Sequence, residues 1–394
     1  MWILFLACNP KPKHTCEADK GWITNPSFPT EVAESETFCD FYQFSWQAFL
    51  AQTQQAKSPE ANAERVFEQN RIYQFGGVKN QCSLPPLLGR KASFDHQSSR
   101  VRKGDVFEKI EADSHALYDQ NGNILLYNIY YSPQNCKATE KGFVKGTFEI
   151  KASWMQLKEP SDKYLTIEEP TGESLAHYGL VGIHFSIWTP RHPEAIWVTW
   201  EHKDNAPLCD GSSPVKKYNF ASKEAAKCLK KHKSPIKCAD FKFNIPHEIS
   251  PPPNVAAPIN VCREYALGNQ HTASINGNDT NANKEAIEQL NKQLVGEKGL
   301  LTSLHLKDPM RVWSNYQMVG ALWTKDGQAS GSLPVAHNGG EPNPNSPQRG
   351  SLELTNMSME TFQQGDDSYV PNCFGCHGYK PEQPLSVSHI QQDL

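Results

Sequence analysis

Near its carboxyl end the chain reads Cys373-Phe374-Gly375-Cys376-His377, and only 17 residues follow. Two thiols three positions apart can add across the two vinyl groups of haem. The histidine that follows is then held by a short tether beneath the iron as an axial ligand. The spacing has two competing uses, a structural zinc half-site and a redox dithiol. Zinc needs four ligands, usually with a second Cys/His pair at fixed spacing, and none is visible. A thioredoxin-type dithiol needs a βαβ context that this region lacks. The motif therefore predicts one covalent haem c, with Cys373 and Cys376 as thioether anchors and His377 as the proximal iron ligand.

That expectation restricts the fold. The segment 351–394 has 44 residues and few large aliphatic side chains. Below roughly 70–80 residues a single core seldom sustains itself without help. Haem presents two broad apolar faces, and leaving one in water forfeits most of the burial energy. The haem is thus expected between this segment and a larger body. The second axial position stays open among Met357 and Met359 just upstream, His389 just downstream, and His184 and His202 in the body. Methionine would raise the potential and a second histidine would lower it. An open position would admit a small oxidant.

The remaining cysteines point to an oxidising compartment. The chain has 11. With Cys8 and the motif pair set aside, Cys16, Cys39, Cys82, Cys136, Cys209, Cys228, Cys238 and Cys262 remain, enough for up to four disulfides. Cys16 with Cys39 and Cys82 with Cys136 are the natural local pairs, and Cys209, Cys228, Cys238 and Cys262 pair among themselves. The run from Cys228 through His232 to Cys238 could be read as zinc-binding, but it lies in a lysine-rich stretch that would repel a cation. Export is also implied by covalent haem attachment, which takes place on the outer side of a membrane. The first residues, Met1-Trp2-Ile3-Leu4-Phe5-Leu6-Ala7-Cys8, resemble the end of a bacterial lipoprotein signal, with Cys8 as the lipidated residue. They lack its basic leader, and the apolar run is short. No later run approaches the roughly 18 apolar residues that span a bilayer. A lipid anchor at Cys8 is then the expected membrane attachment, with a periplasmic or cell-envelope location.

Size and charge set the remaining bounds. At 394 residues the chain can bury a large core, and a net charge of −4 gives no electrostatic case for nucleic acid. No internal repeat appears and the haem motif occurs once. The expected fold is α+β: a mainly antiparallel β body with several helices and long loops, with the haem-attachment segment packed on it. Along the chain this divides into a signal-like remnant (1–8), the body (9–324), a linker or long loop (325–350) and the haem-attachment segment (351–394).

Within the body, aromatic residues recur at helical spacing from Cys39 to Gln52, a stripe expected in the core. A second helix is expected near 60–68. Strands are expected at 123–132, after the turn-forming Asp119-Gln120-Asn121-Gly122, and at 143–154 and 164–168. The runs 177–188 and 195–202, joined by a Pro-containing loop, read as an antiparallel hairpin. Helices are expected at 222–231 and 283–295, a strand at 316–323, and a short helix at 355–363. His184, Glu201, His202 and Asn205 are the polar residues of the hairpin region that could line a site. Against that, Asp204 and Asn205 could cap a turn, with the histidines serving as hydrogen-bonded packing.

The segments Phe44-Ser45-Trp46-Gln47-Ala48-Phe49-Leu50-Ala51, Lys151-Ala152-Ser153-Trp154, Gly182-Ile183-His184, Trp197 through Pro207, and Asn356-Met357-Ser358-Met359-Glu360-Thr361-Phe362 resemble blocks of an exported bacterial family. Its members, called cytochrome c family proteins, carry one C-terminal haem motif. The resemblance covers about residues 39 to 377. It implies a single haem on Cys373, Cys376 and His377, and no particular reaction.

The expected function is single-electron transfer through one covalent haem to a partner protein or small redox molecule. Two alternatives remain: an oxidoreductase with a pocket between body and haem, and a non-redox surface lipoprotein with structural haem.

Overall fold

The computed structural model describes residues 15–54, 73–74, 80–83, 115–171, 174–246, 258–268, 280–331, 345–364, 372–391 and 394. The lipoprotein-like start at 1–8 and the helix expected near 60–68 lie outside these residues. Eight strands form one antiparallel sheet: β1 (Tyr73–Gln74), β2 (Leu126–Tyr131), β3 (Phe148–Leu157), β4 (Thr166–Thr171), β5 (Ser174–Ile187), β6 (Ile196–His202), β7 (Tyr316–Thr324) and β8 (Gln348–Gly350). Their order is β1-β2-β3-β5-β6-β7-β8, and β4 pairs with the first half of β5. With its flanking helices this is the expected α+β architecture.

Local chemistry explains the elements. Asp119 accepts hydrogen bonds from the backbone N–H groups of Asn121 (2.7 Å) and Asn123 (2.9 Å), so the turn before β2 is built by one carboxylate. The β5–β6 hairpin pairs Gly182 with Glu201 through to Ile187 with Ile196. The helix Phe38–Gln52 starts on a capping box, in which Thr37 and Asp40 satisfy each other's backbone N–H groups. Its aromatic stripe enters the core, where Phe49 stacks on Trp200 at 4.5 Å and Phe41 on Trp323 at 3.9 Å. The helix Thr280–Val295 buries Ile287, Leu290 and Leu294, and Lys223–His232 begins on the Ser222 side chain.

The two faces of the sheet carry different loads. Alternation along β3, β5, β6 and β7 sends Ile150, Ile183, Phe185, Val198, Trp200, Ala321 and Trp323 into the larger core beneath these helices. The other face presents Glu149, Lys151 and Ser153 on β3, Gly182, His184 and Ser186 on β5, Trp197 and Thr199 on β6, and Leu322 on β7. Onto this face fold residues 351–364 and 372–391. Ser358 bonds Ser153 (Oγ to Oγ 2.6 Å), and Asn356 Nδ2 donates to Thr199 Oγ1 at 2.7 Å. A Cβ on Gly182 would lie 2.8 Å from Asn356 Oδ1 and 2.9 Å from Ser153 Oγ, so the glycine makes room for the crossing chain.

Two expectations about this region change. Residues 355–363 form turns rather than a helix. Asn356 Oδ1 takes the Ser358 N–H at 2.9 Å, and the Glu360 carboxylate takes the Asn356 N–H at 3.0 Å; these bonds compete with helical pairing. The stretch 325–350 ends in β8, which extends the sheet beyond β7.

The disulfides are Cys16–Cys39, Cys82–Cys136, Cys209–Cys262 and Cys228–Cys238. Both local pairs and the pairing within the later set follow the expectation. The Cys228–Cys238 bond also removes the zinc reading, since its two thiolates are consumed. Four disulfides fit an oxidising environment. Among the described residues no helix is long and apolar enough to cross a membrane.

Candidate functional site

The C-x-x-C-H run opens with a single helical turn, Cys373–Cys376, whose N-cap is Asn372. Its Oδ1 accepts the Phe374 N–H at 3.1 Å, while its Nδ2 donates to Gln348 Oε1 (2.8 Å) and to the Leu352 carbonyl (3.1 Å). One side chain therefore starts the turn and ties it to β8. Further on, Tyr379 exchanges bonds with Ser330, and Ser388 Oγ donates to Glu149 Oε1 at 2.6 Å. The Cys82 N–H reaches the carbonyl of Leu394. The segment is held to the body at both ends and in its middle.

His377 is fixed on three sides. Its Nδ1–H donates to the Val387 carbonyl at 2.8 Å, which sets the tautomer and leaves the Nε2 lone pair free. One ring face meets Trp197, with centroids 4.4 Å apart, and His389 stacks against the ring at 4.0 Å. Burial, aided by the neighbouring His389, pushes its pKa down to about 3. The imidazole is neutral at any ordinary pH, pre-oriented, and a Lewis base at one nitrogen. An axial ligand requires this state, and the Nδ1–H to carbonyl bond is the usual outer-shell support for one.

The two thiols are the cysteines left over among the described residues, since the other eight are paired. Cys373 packs against a second apolar cluster formed by Trp188, Ala195, Trp197, Val319, Leu322, Leu352, Leu354, Phe374, Tyr379 and Val387. Cys376 lies at its exposed rim. Partial or full burial, and behind it the Glu360 carboxylate, pushes both thiols above the usual range. Catalytic dithiols have depressed thiol pKa values, so this environment opposes thiol–disulfide exchange.

The donor set fits haem c: two protonated, unpaired thiols at C-x-x-C spacing, a neutral histidine with Nε2 free, and an apolar cluster beside them. Nε1 of buried Trp188, in that cluster, finds no acceptor among the described residues. A planar apolar group with carboxylate arms would supply one.

The structure sorts the candidates for the second axial position. Met357 and Met359 are buried and pack with the larger apolar cluster rather than with the one around the motif, and Met357 Sδ accepts from Gln364 Nε2 at 3.3 Å. His389 stacks on His377 with ring centroids 4.0 Å apart and planes 19° from parallel, which leaves no room for a group between the two rings. His202 has both nitrogens engaged, with Lys163 O at 3.1 Å and the Asp204 N–H at 3.1 Å, and burial holds its pKa down to about 4. It lies five residues along β6 from Trp197, roughly 17 Å. His184 remains. It sits on the face that the segment covers, with Nε2 2.9 Å and 3.1 Å from the two oxygens of Glu360.

The other polar residues of the hairpin region serve structure. Glu201 forms a buried ion pair with Arg263, whose pKa burial lowers to about 9. Asn205 Nδ2 donates to the Val181 carbonyl at 2.7 Å, and its backbone N–H closes a turn on His202 O. Sequence reasoning gave no role to Val387, Trp197, Lys151 or Glu360. Comparison of the chain with protein-family models, with curated protein sequences and with solved structures finds no match.

Proposed function

We propose that this chain is an exported c-type cytochrome. It carries one haem on Cys373 and Cys376 with His377 as proximal ligand, and passes single electrons to a redox partner. The carrying observation is the preparation of His377: Nδ1–H on Val387 O, ring held between Trp197 and His389, and Nε2 free beside two unpaired thiols. Bound there, haem would supply a one-electron Fe(III)/Fe(II) couple.

The chain's own residues define what that couple experiences. The apolar cluster would keep water from the His377 side of the group, and the Val387 carbonyl adds electron density to the imidazole through its N–H. Cys376 lies at the exposed rim, which supports electron exchange with a partner at that edge. The four disulfides support export to the periplasm or cell envelope, with Cys8 as the proposed lipid anchor.

The test is expression with periplasmic haem maturation, followed by reduced spectra and haem staining of a denatured gel. Wild type should carry one covalent haem per chain. Cys376→Ser, at the exposed position, should fold but lose covalent retention of at least half the haem. A variant that keeps its full complement would contradict the assignment. A wild-type chain that stays colourless where a control cytochrome matures would do so as well.

A further inference from the structure

Across the covered face of the sheet the register forms rows. Glu149, Ser186, Trp197 and Leu322 make one, and Lys151, His184, Thr199 and Gly320 the next. The first row carries the motif: His377 rests on Trp197, and Ser388 bonds Glu149. The farther side of the second row is bridged by Asn356 and Ser358. His184 stands between these two contacts. It is a diagonal neighbour of Trp197 on the same face, a pair of positions about 7–8 Å apart and within reach of aromatic and long side chains.

His184 is paired to the Glu360 carboxylate through Nε2, which lies 2.9 Å and 3.1 Å from its two oxygens, while its other ring nitrogen carries no hydrogen bond among the described residues. Its side chain is 19% exposed. An imidazole with one nitrogen on a carboxylate and the other free has the outer-shell arrangement of a metal ligand.

We infer that His184 is the second axial ligand of the iron, with Glu360 orienting it and raising its basicity. The assignment rests on the haem reading above. The two histidines come from different parts of the molecule, one from the C-terminal segment and one from the central strand of the body. Iron coordination would then join the segment to the sheet, and Glu360, upstream of the motif, would make the join sensitive to the conformation of 356–364.

The experiment uses the mature full-length protein, and haem content is measured first. Wild type should be low-spin and six-coordinate in both oxidation states. It should show the near-infrared magnetic circular dichroism of a histidine pair, no methionine–iron charge-transfer band, and slow carbon monoxide binding. At equal haem content His184→Ala should become high-spin when reduced and bind carbon monoxide at least tenfold faster. Glu360→Gln should stay low-spin but shift its midpoint potential upward, because a weaker acceptor on the imidazole favours Fe(II). A low-spin His184→Ala variant overturns the inference, as does a wild-type methionine band or a five-coordinate wild type. If the alanine variant fails to accumulate, His184→Met decides: it should gain the methionine–iron charge-transfer band, and a variant that keeps the wild-type histidine-pair spectrum overturns the inference. A colourless wild type removes the haem reading itself and this inference with it.

Discussion

His377 is held by residues that lie far apart in the chain: Trp197 on β6, and Val387 and His389 in the closing loop. The same loop is tied to a titration handle on the sheet. Glu149 on β3 takes hydrogen bonds from Ser388 (2.6 Å) and Asn135 (3.2 Å), and burial, opposed by the Ser388 bond, raises its pKa from 4.5 to about 7. A carboxyl raised on folding binds more protons in the native than in the unfolded state between these values. Its contribution to stability is complete below pH 4.5 and is lost as pH rises through about 7. Glu149→Gln should therefore flatten the fall of unfolding free energy across that interval. Urea denaturation at several pH values checks this, and parallel wild-type and variant curves would refute it.

At the scale of elements, the hairpin β5–β6 is a support with two uses. Its inner face packs Phe185 and Trp200 against Phe49, and its outer face offers His184 and Trp197 to the C-terminal segment. The segment can lie close because Gly182 has no side chain. Gly182→Ala would set a methyl group against Ser358 and Asn356, and overpacking of this kind costs about 1–3 kcal/mol. The expected result is a lower denaturation midpoint with an unchanged helix-and-strand spectrum. A variant as stable as wild type would show that the 356–358 crossing can move aside. The short helix expected at 355–363 illustrates why sequence pattern fails here. Asn356, Ser358 and Glu360 spend their side chains on nearby backbone and on the sheet, and these bonds require the sheet to be present.

For the whole molecule, the C-terminal segment and the body depend on each other. Leu352, Leu354, Phe374, Tyr379 and Val387 share one apolar cluster with Trp188 and Trp197 of the hairpin. A chain ending at residue 350 would expose that face of the sheet, and an isolated 351–394 peptide would have nothing to cover its own apolar residues. Truncation at 350 should give insoluble or loosely packed protein. The isolated peptide should be unfolded by circular dichroism and retain no haem in a folded pocket. A well-folded peptide would refute this dependence.

The sequence alone determined much of this. The C-x-x-C-H run, the six longer strands, the aromatic helix and the two local disulfides follow from spacing, alternation and pairing rules that act over a few dozen residues. Tertiary structure decided which side of the sheet receives the motif, that Val387 orients His377 and Trp197 packs on its ring, and that His184 rather than His202 keeps a free ring nitrogen. These are contacts across as many as about two hundred residues of chain. A histidine has the same composition whether its nitrogens are already hydrogen-bonded, as in His202, or one remains free, as in His184. Only the packed arrangement distinguishes the two, because it sets which donors and acceptors are already satisfied.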